Sequence, residues 1–258
     1  MVNLFYEPST RTQYSFDIAA SKLGIKVINP SMERLSDNKG ENLTDTVSTF
    51  QQMGASLITI RHPFEKTPHK LSNHLNIPIL NAGDGQNQHP SQAFIDTFTI
   101  LQKKQNINDL SIAIVGDSLH SRVAHSLCDI LSKLQVKDIR LTGPESLIYH
   151  QNTAHISHHT NLLTGIKDAD VIIALRIQKE RFTDSPIPND AGYHEHFGLT
   201  TEKLAHAKPD AIIMHPGPVN RGIEITNELI DSTFSVIHQQ IHNSIPVRMA
   251  LIDYCLNT

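Results

Sequence analysis

The sequence of 258 residues has no tryptophan, only two cysteines and few aromatic residues. The two cysteines do not form a CxxC pair, so a structural zinc site is not supported, and both thiols are expected to be reduced and packed. The length of the chain excludes a disulfide-stapled mini-protein. A chain of this length buries roughly three quarters of its unfolded surface, which is enough to form a core without disulfides or metal. We therefore expect neither a metal nor a cofactor.

The sequence also lacks an excess of positive charge and any long apolar run. Its 22 Lys and Arg residues are outnumbered by 26 Asp and Glu residues, which argues against nucleic acid as a partner. No segment approaches the ~20 apolar residues that a membrane-spanning helix needs. The start MVNLFYEPST has none of the features of a signal peptide. These absences predict a cytoplasmic protein that binds neither nucleic acid nor a membrane.

Short runs of β-branched and apolar residues alternate with helical patterns along the chain. This alternation is typical of βαβ units around a parallel sheet, so the predicted fold class is α/β. Strands are predicted near residues 4–6, 26–29, 56–60, 77–81, 111–115, 139–142, 171–175 and 211–214.

Two of the predicted helices have a defined apolar face. The residues expected on the inner face of a helix over 13–23 are Tyr14, Phe16, Ile18, Ala19, Ala20 and Leu23. Those expected on the inner face of a long helix over 90–104 are Ala93, Phe94, Thr97, Phe98 and Leu101.

The polar stretch KKQNIND after the long helix is the best candidate for a domain boundary. We therefore expect one domain over residues 1–104 and a second over 105–235, with a C-terminal helix over 236–258 that packs back on the first domain.

Residues suited to bind anions follow several of the predicted strands. In open α/β sheets the ligand lies beyond the carboxyl ends of the strands, so such residues are expected to converge on one site for small acids. They are Ser9, Thr10, Arg11 and Thr12 after the first strand, Arg61, His89 and Gln92 later in the first half, and Arg122, Arg176, Gln178 and the segment HPGPVNR in the second half.

The segment from Ser9 to Thr12 has two interpretations. Small hydroxyl residues between a strand and a helix present free backbone N–H groups and the positive end of the helix dipole, which together bind phosphate or carboxylate. Ser and Thr are also the preferred N-cap residues, so helix capping alone also explains the pattern. The phosphate-binding signatures GxxxxGK[ST] and GxGxxG are both absent.

Arg61, His89 and a group of histidines have further features that bear on function. Arg61 directly follows a predicted buried strand, where a cation is costly to desolvate unless an anion binds it. His89 lies in a glycine-containing loop, from which an imidazole can donate to a carbonyl oxygen or exchange a proton. The cluster from His150 to His159 shows no helix-spaced pair with a carboxylate, so we interpret it as a solvent-facing loop.

These segments resemble the aspartate and ornithine carbamoyltransferase family. The matching pieces are FYEPSTRT, NKGE, IRHP, NAGDGQNQHPSQ, GDSLHSRVAHS, LRIQKER and MHPGPVNRG, in this order along nearly the whole chain. STRT and HPxQ are shared by both branches of the family, whereas RIQxER and HPxPxxRG favour the aspartate branch. The resemblance implies two doubly wound parallel-sheet domains with the active site in the cleft between them.

The resemblance also implies the transfer of a carbamoyl group from carbamoyl phosphate to L-aspartate and a role for each matched residue. Ser9, Thr10, Arg11 and Thr12 would hold the phosphate together with Arg61. The carbonyl oxygen would accept from Thr12, Arg61 and His89, and the carbamoyl NH₂ would donate to Gln92 and to the backbone carbonyls of Gly217 and Pro218. The aspartate carboxylates would be bound by Arg122, Arg176 and Gln178, and Lys39, with Ser36 as its companion, would enter the site of a neighbouring subunit.

The resemblance implies a homotrimer with shared active sites and leaves open whether regulatory or dihydroorotase chains attach. Two alternatives remain open as well: a carbamoyltransferase for another amine acceptor, and an inactive anion-binding subunit. Family members usually carry a helix and a strand ahead of FYEPSTRT, which begins at residue 5 here, and the resemblance leaves open whether the start is naturally short or truncated. Gly217 stands where Leu or Ala is more usual, and we expect it to be tolerated.

Overall fold

The computed structural model describes residues 1–31, 40–151, 153–177 and 190–257. The strands within these ranges are β1 (Val2–Phe5), β2 (Ile58–His62), β3 (Ile79–Asp84), β4 (Ser111–Val115), β5 (Asp138–Thr142), β6 (Ile156–His159), β7 (Val171–Ala174) and β8 (Ile212–Met214). The α-helices are α1 (Thr10–Lys22), α2 (Leu43–Gln52), α3 (Thr67–Ser72), α4 (Pro90–Lys103), α5 (Arg122–Lys133), α6 (Leu162–Ile166), α7 (Asp190–Phe197), α8 (Thr201–Leu204), α9 (Asn227–Ile230) and α10 (Ile237–Asn257).

The chain forms two compact units, each built on one parallel sheet. Unit 1 comprises Met1–Ser91 and Ser244–Thr258, and unit 2 comprises Gln92–Asn243. The sheet of unit 1 has the strand order β1-β2-β3, and that of unit 2 has the order β6-β5-β4-β7-β8. All the pairings between these strands are parallel, which confirms the predicted α/β class.

The sheet of unit 1 is covered on both faces, because successive side chains of a strand point to opposite sides. Leu4 and Ile60 belong to an apolar cluster with residues of α2 and α3. Phe5 belongs to a second cluster, with Phe16 of α1 and Ile252 of α10. The second half of α10 is therefore part of the core of unit 1.

The sheet of unit 2 is covered in the same way, and every residue of its central strand β4 is buried. Ile112 and Ile114 pack with Leu127 and other residues of α5. Ala113 and Val115 pack in the opposite cluster, which includes residues of α6, α7, α8 and α9. A strand that is buried on both faces reads as a continuous apolar run, which explains why the bounds predicted for β4 are correct.

The order of strands in unit 2 reverses direction once. The chain starts at β4 in the middle of the sheet, continues to β5 and β6 on one side, and then passes to β7 and β8 on the other side. The reversal lies between β4 and β7. In doubly wound sheets, the loops at such a switch point leave a crevice in which ligands bind.

Seven of the eight predicted strands overlap observed strands. The strand predicted over 26–29 is reduced to one isolated bridge between Val2 and Ile28, at the outer edge of β1. The interpretation of the histidine-rich segment as a loop was wrong where it concerns Ile156–His159, which forms the edge strand β6. This strand pairs only with β5, and Ser157 and His158 are exposed, so it lacks the apolar signature of the inner strands.

The predicted inner faces of two helices are partly wrong. In α4 the side chains of Phe94, Phe98 and Leu101 are exposed, while α4 buries a different face that includes Asp96 and Ile100. In α1 the expected core residues that are exposed instead are Tyr14 and Ile18. Each helix carries two apolar stripes at helical spacing, and periodicity alone does not decide which stripe meets the sheet.

The two cysteines are packed thiols without a disulfide partner. Burial, aided by the negative charge of Asp129, raises the pKa of Cys128 to about 12. Burial also raises the pKa of Cys255. Across the described ranges, His, Cys, Asp and Glu side chains do not form a cluster of three or more that suits a metal ion. Among these same residues, no helix combines the length and apolar character that crossing a membrane requires.

Candidate functional site

The strand ends of unit 1 bring three of the predicted anion-binding segments together. Phe5 pairs in register with Arg61, and His62 pairs with Asp84, so the carboxyl ends of β1, β2 and β3 lie side by side. The backbone N–H of Tyr6 donates to the Arg61 carbonyl oxygen at 2.9 Å, and that of Gly85 donates to the His62 carbonyl oxygen at 2.9 Å. The segments that continue to Ser9 and His89 therefore leave the same edge of the sheet.

The segment from Ser9 to Thr12 forms the start of α1 and is not explained by side-chain capping. Ser9 is the N-cap residue, but its side chain makes no capping hydrogen bond. The first helical hydrogen bond runs from the Gln13 N–H to the Ser9 carbonyl oxygen at 3.0 Å. The N–H groups of Thr10, Arg11 and Thr12 precede it and have no helical acceptor, so they and the positive end of the helix dipole suit an anion.

Arg61 is the last but one residue of β2, and not the first residue after it as the sequence predicted. Its residue exposure is only 9%. The Arg61 Nη2 group lies 2.7 Å from Glu7 Oε1, so a carboxylate offsets part of the cost of burying this cation. Sequence reasoning did not select Glu7, although an acidic residue directly before the PSTRT segment was a usable signal.

Asp84 holds the loop that leads to His89. The buried Asp84 carboxylate accepts from the backbone N–H of Gln88 at 3.1 Å and from that of Lys66 at 2.6 Å. It also accepts from the side-chain amide of Asn87 at 2.8 Å. These bonds cross-link the loop to the end of β3, and His89 follows it as a buried residue. The sequence analysis missed Asp84, and its position between two glycines of the loop was the available signal.

Arg122 and Arg176 flank the switch point of the unit 2 sheet. Arg122 is buried and opens α5, whose N-cap Ser121 accepts from the Ala124 N–H at 3.2 Å. Arg176 follows β7 and is half-buried. Gly116, the first residue after β4, has a positive φ of 127°. A Cβ at this position would lie 3.0 Å from the carbonyl oxygen of Leu175, the first residue after β7. Glycine therefore allows the loops after β4 and β7 to approach closely.

The segment after β8 supplies two further predicted residues, Gly217 and Pro218, which are joined by a cis peptide bond. Gly217 has a φ of 71°, a region that glycine adopts without strain and that L side chains rarely adopt. Its backbone N–H donates to His215 Nδ1 at 2.9 Å. Glycine therefore suits this position, where the resemblance led us to expect a larger residue.

Glu224 ties the segments after β7 and β8 together. Its carboxylate, with a residue exposure of 2%, accepts from the backbone N–H of Ile177 at 3.0 Å. It also accepts from the backbone N–H of Asn220 at 3.0 Å and from the Asn220 side-chain amide at 2.8 Å. Burial raises the pKa of Glu224, and these hydrogen bonds oppose the rise. Glu224 thus fixes the backbone beside Arg176, and sequence reasoning missed it.

Replacing Glu224 with alanine is expected to lower the free energy of unfolding by about 1–3 kcal/mol, because the buried N–H of Ile177 and the part-buried N–H of Asn220 lose their acceptor. Since Ile177 is next to Arg176, the apparent KM for an acid bound by Arg176 should rise as well. Chemical denaturation and steady-state kinetics measure the two effects. Glu228→Ala is the matched control, because Glu228 is an exposed residue of α9. Equal stability of the two variants would contradict this role of Glu224.

The structure thus divides the predicted site residues between the two units. Unit 1 contains Ser9, Thr10, Arg11, Thr12, Arg61 and His89, and unit 2 contains Gln92, Arg122, Arg176, Gly217 and Pro218. The predicted contacts of Ser36, Lys39 and Gln178 lie outside the described residues.

Comparisons with known proteins also divide the chain into two parts, with Gln92 in the first of them. Residues 1–102 match the carbamoyl-P binding domain of aspartate/ornithine carbamoyltransferases, and residues 108–255 match the Asp/Orn binding domain of the same family. The aspartate carbamoyltransferase catalytic subunit of Ruthia magnifica is 46% identical, over 100% of this chain and 81% of that protein. The protein of the same name from Coxiella burnetii is 47% identical, over 99% of this chain and 83% of its own length.

Solved structures are similar over the same extent. The aspartate transcarbamoylase of Trypanosoma cruzi in complex with N-(phosphonacetyl)-L-aspartic acid has a TM-score of 0.89 and 30% identity, covering 98% of this chain and 82% of that one. The ornithine carbamoyltransferase of Pyrococcus furiosus has a TM-score of 0.86 and 28% identity, covering 97% of this chain and 82% of that one. By both domain matches and by these identities, the chain belongs to the aspartate/ornithine carbamoyltransferase family.

Proposed function

We propose that this chain transfers the carbamoyl group of carbamoyl phosphate to the amine of L-aspartate, giving N-carbamoyl-L-aspartate and phosphate for pyrimidine biosynthesis. The observation that carries the proposal is the match of 46–47% identity over essentially the whole chain to proteins named aspartate carbamoyltransferase catalytic subunit. Similar solved structures of Trypanosoma cruzi aspartate transcarbamoylase are complexes with carbamoyl aspartate and phosphate or with carbamoyl phosphate and aspartate.

Unit 1 is proposed to bind the donor. The start of α1 would hold the phosphate group through the N–H groups and hydroxyls of Ser9, Thr10 and Thr12 and through the side chain of Arg11. Arg61, His89 and the Thr12 hydroxyl would donate to the carbonyl oxygen. Residues 1–104, together with the C-terminal helix over 236–258, would form this carbamoyl-phosphate-binding domain.

Unit 2 is proposed to bind the acceptor and the amine end of the donor. Arg122 and Arg176 would each pair with a carboxylate of aspartate, with Gln178 as a further donor. The Gln92 side chain and the carbonyls of Gly217 and Pro218 would accept from the carbamoyl NH₂. The aspartate-binding domain would comprise residues 105–235, so Gln92 would belong to the carbamoyl-phosphate-binding domain over 1–104.

The proposed reaction needs no covalent enzyme intermediate. The deprotonated aspartate amine attacks the carbonyl carbon and forms a C–N bond, while negative charge grows on the carbonyl oxygen. The bond from carbon to the phosphate oxygen then breaks, and phosphate leaves with the electron pair and takes up the proton that the amine nitrogen loses. Donors already aimed at the two sites of developing charge stabilise the transition state. Fixed cations also hold two like-charged substrates in contact, which lowers the entropic part of the barrier.

The proposed assembly is a cytoplasmic homotrimer in which Lys39 of one subunit completes the site of its neighbour. This part rests on the sequence resemblance. The resemblance leaves open whether a regulatory or dihydroorotase chain attaches to such a trimer.

The decisive experiment is a colorimetric assay for carbamoyl-aspartate on the purified protein, paired with its mass in solution. Product formation at a trimer mass is the expected result. Activity from a strict monomer would overturn the role of Lys39. Absence of product, with carbamoyl phosphate still raising Tm, would instead indicate the inactive anion-binding subunit.

A second acceptor is the alternative within the family, because an ornithine carbamoyltransferase is among the similar structures. A panel of aspartate, ornithine and acetylated ornithine separates the two. Turnover restricted to aspartate supports our assignment, since two arginines suit a dicarboxylate and oppose a diamine.

A further inference from the structure

A chain of buried hydrogen bonds in unit 2 connects Gln92 to Gly217. Asp96 lies on α4, one turn after Gln92, and is fully buried. Its Oδ1 atom accepts from Gln92 Nε2 at 2.8 Å and from Gln240 Nε2, on α10, at 2.6 Å. The Gln240 Oε1 atom accepts from the backbone N–H of His215 at 3.0 Å, and His215 Nδ1 accepts from the Gly217 N–H at 2.9 Å.

The donor and acceptor groups of these side chains fix the direction of each hydrogen bond in the chain. An ionised carboxylate only accepts hydrogen bonds, whereas each glutamine amide has one accepting and one donating end. Both glutamines must therefore turn Nε2 toward Asp96. For Gln240 this orientation is fixed independently at the other end, because the His215 N–H can only donate and needs Oε1. For Gln92 the consequence is that Oε1 is the end turned away from Asp96.

We propose that Asp96 is a positioning residue that makes the site selective for a donor carrying an NH₂ group. By holding Nε2 of Gln92, it leaves Oε1 as an acceptor, which recognises an NH₂ and gains nothing from a methyl group. Asp96 thereby discriminates carbamoyl phosphate from acyl phosphates of the same shape, such as acetyl phosphate. The inference rests on the proposed function, because it takes Gln92 as a contact of the carbamoyl NH₂.

A second layer of hydrogen bonds joins α4 to α10 without Asp96. The Asn243 Nδ2 group donates to Thr99 Oγ1 at 2.9 Å and to Gln102 Oε1 at 2.7 Å. Thr99 and Asn243 are both buried. This layer supports the helix pair by itself, so the two roles can be separated: Asp96 orients Gln92, and Thr99 contributes only to packing of the helices.

The test compares Asp96→Asn with the wild type. An asparagine lacks the negative charge and carries a donor beside its acceptor, so it holds Nε2 of Gln92 less firmly, and a flipped Gln92 amide can accept from the new donor. We expect the apparent affinity for carbamoyl phosphate to fall about 3- to 10-fold, the effect of one hydrogen bond, while the inhibition constants of acetyl phosphate and inorganic phosphate stay within about 2-fold. The ratio of the carbamoyl and acetyl phosphate constants is thus the readout.

Three variants complete the design. Thr99→Val is the packing control and should lower Tm without changing the ratio. Gln92→Met removes Oε1 and should change the ratio as much as Asp96→Asn does. The double variant should show no further change, because the two residues act through one contact.

An unchanged ratio in Asp96→Asn, or an equal loss of affinity for all three phosphates, overturns the inference. Should Asp96→Asn not fold, an unchanged ratio in Gln92→Met overturns it as well. Failure of the proposed function is a different result, since the wild type itself would then form no carbamoyl-aspartate.

Discussion

Replacing Arg11 with alanine is expected to lower kcat by about 10²- to 10³-fold, the typical loss when one donor to developing transition-state charge is removed. In the proposed site, Arg11 holds the phosphate group that leaves with the electron pair. Its contribution therefore grows as the bond to carbon breaks. Steady-state kinetics of carbamoyl-aspartate formation measure the loss.

The same substitution should leave Tm unchanged. Arg11 is exposed at the start of α1, and its side chain forms neither an ion pair nor a hydrogen bond within the described part of the chain. Lys22→Ala is the matched control, because Lys22 is an exposed cation in the last turn of the same helix. The control removes the same charge and should retain normal turnover. Normal turnover in Arg11→Ala would be incompatible with the proposed phosphate site.

The sequence predicts best the elements whose residues are all buried, because both faces of such an element are apolar. The five residues of β4 are all buried, so their apolar run is unambiguous. The edge strand β6 was missed because its two middle residues, Ser157 and His158, are both exposed and polar. The face of α4 was misjudged because the helix buries polar residues, Asp96 and Thr99, in preference to Phe94. Periodicity counts apolar residues, and it does not anticipate a buried polar contact between two helices.

The residues of the candidate site also differ in how well the sequence predicts them. Arg11 and Arg61 were found because parallel strands end at one edge of a sheet, so residues that follow the strands are expected to converge. Asp96 and Glu224 were missed because each has, besides a partner four residues away, a partner that is distant in the sequence. Gln240 is 144 residues from Asp96, and Ile177 is 47 residues from Glu224. The neighbouring sequence does not distinguish the buried Glu224 from the exposed Glu228. Only the folded structure shows that Glu224 accepts hydrogen bonds from the backbone and that Glu228 faces solvent.

Replacing Arg176 with alanine is expected to raise the KM for aspartate by about 10- to 100-fold, the equivalent of one hydrogen bond to a charged group. The KM for carbamoyl phosphate should change much less, because the residues proposed to bind the phosphate group belong to unit 1. Arg176 follows β7 at the switch point, and Glu224 fixes the backbone of its neighbour Ile177, so the guanidinium starts from a defined position. A guanidinium held in a defined position can form two parallel hydrogen bonds to a carboxylate, which makes the contact strong.

Initial rates measured against both substrates separate these effects. Arg176→Lys should recover part of the lost affinity, since it keeps the charge but cannot form two parallel hydrogen bonds. Lys133→Ala is the control for the loss of charge, because Lys133 is exposed in the last turn of α5. Its KM for aspartate should equal that of the wild type. An Arg176→Ala enzyme that used aspartate normally, or that lost affinity for carbamoyl phosphate to the same extent, would remove Arg176 from the acceptor site and reopen the choice of amine.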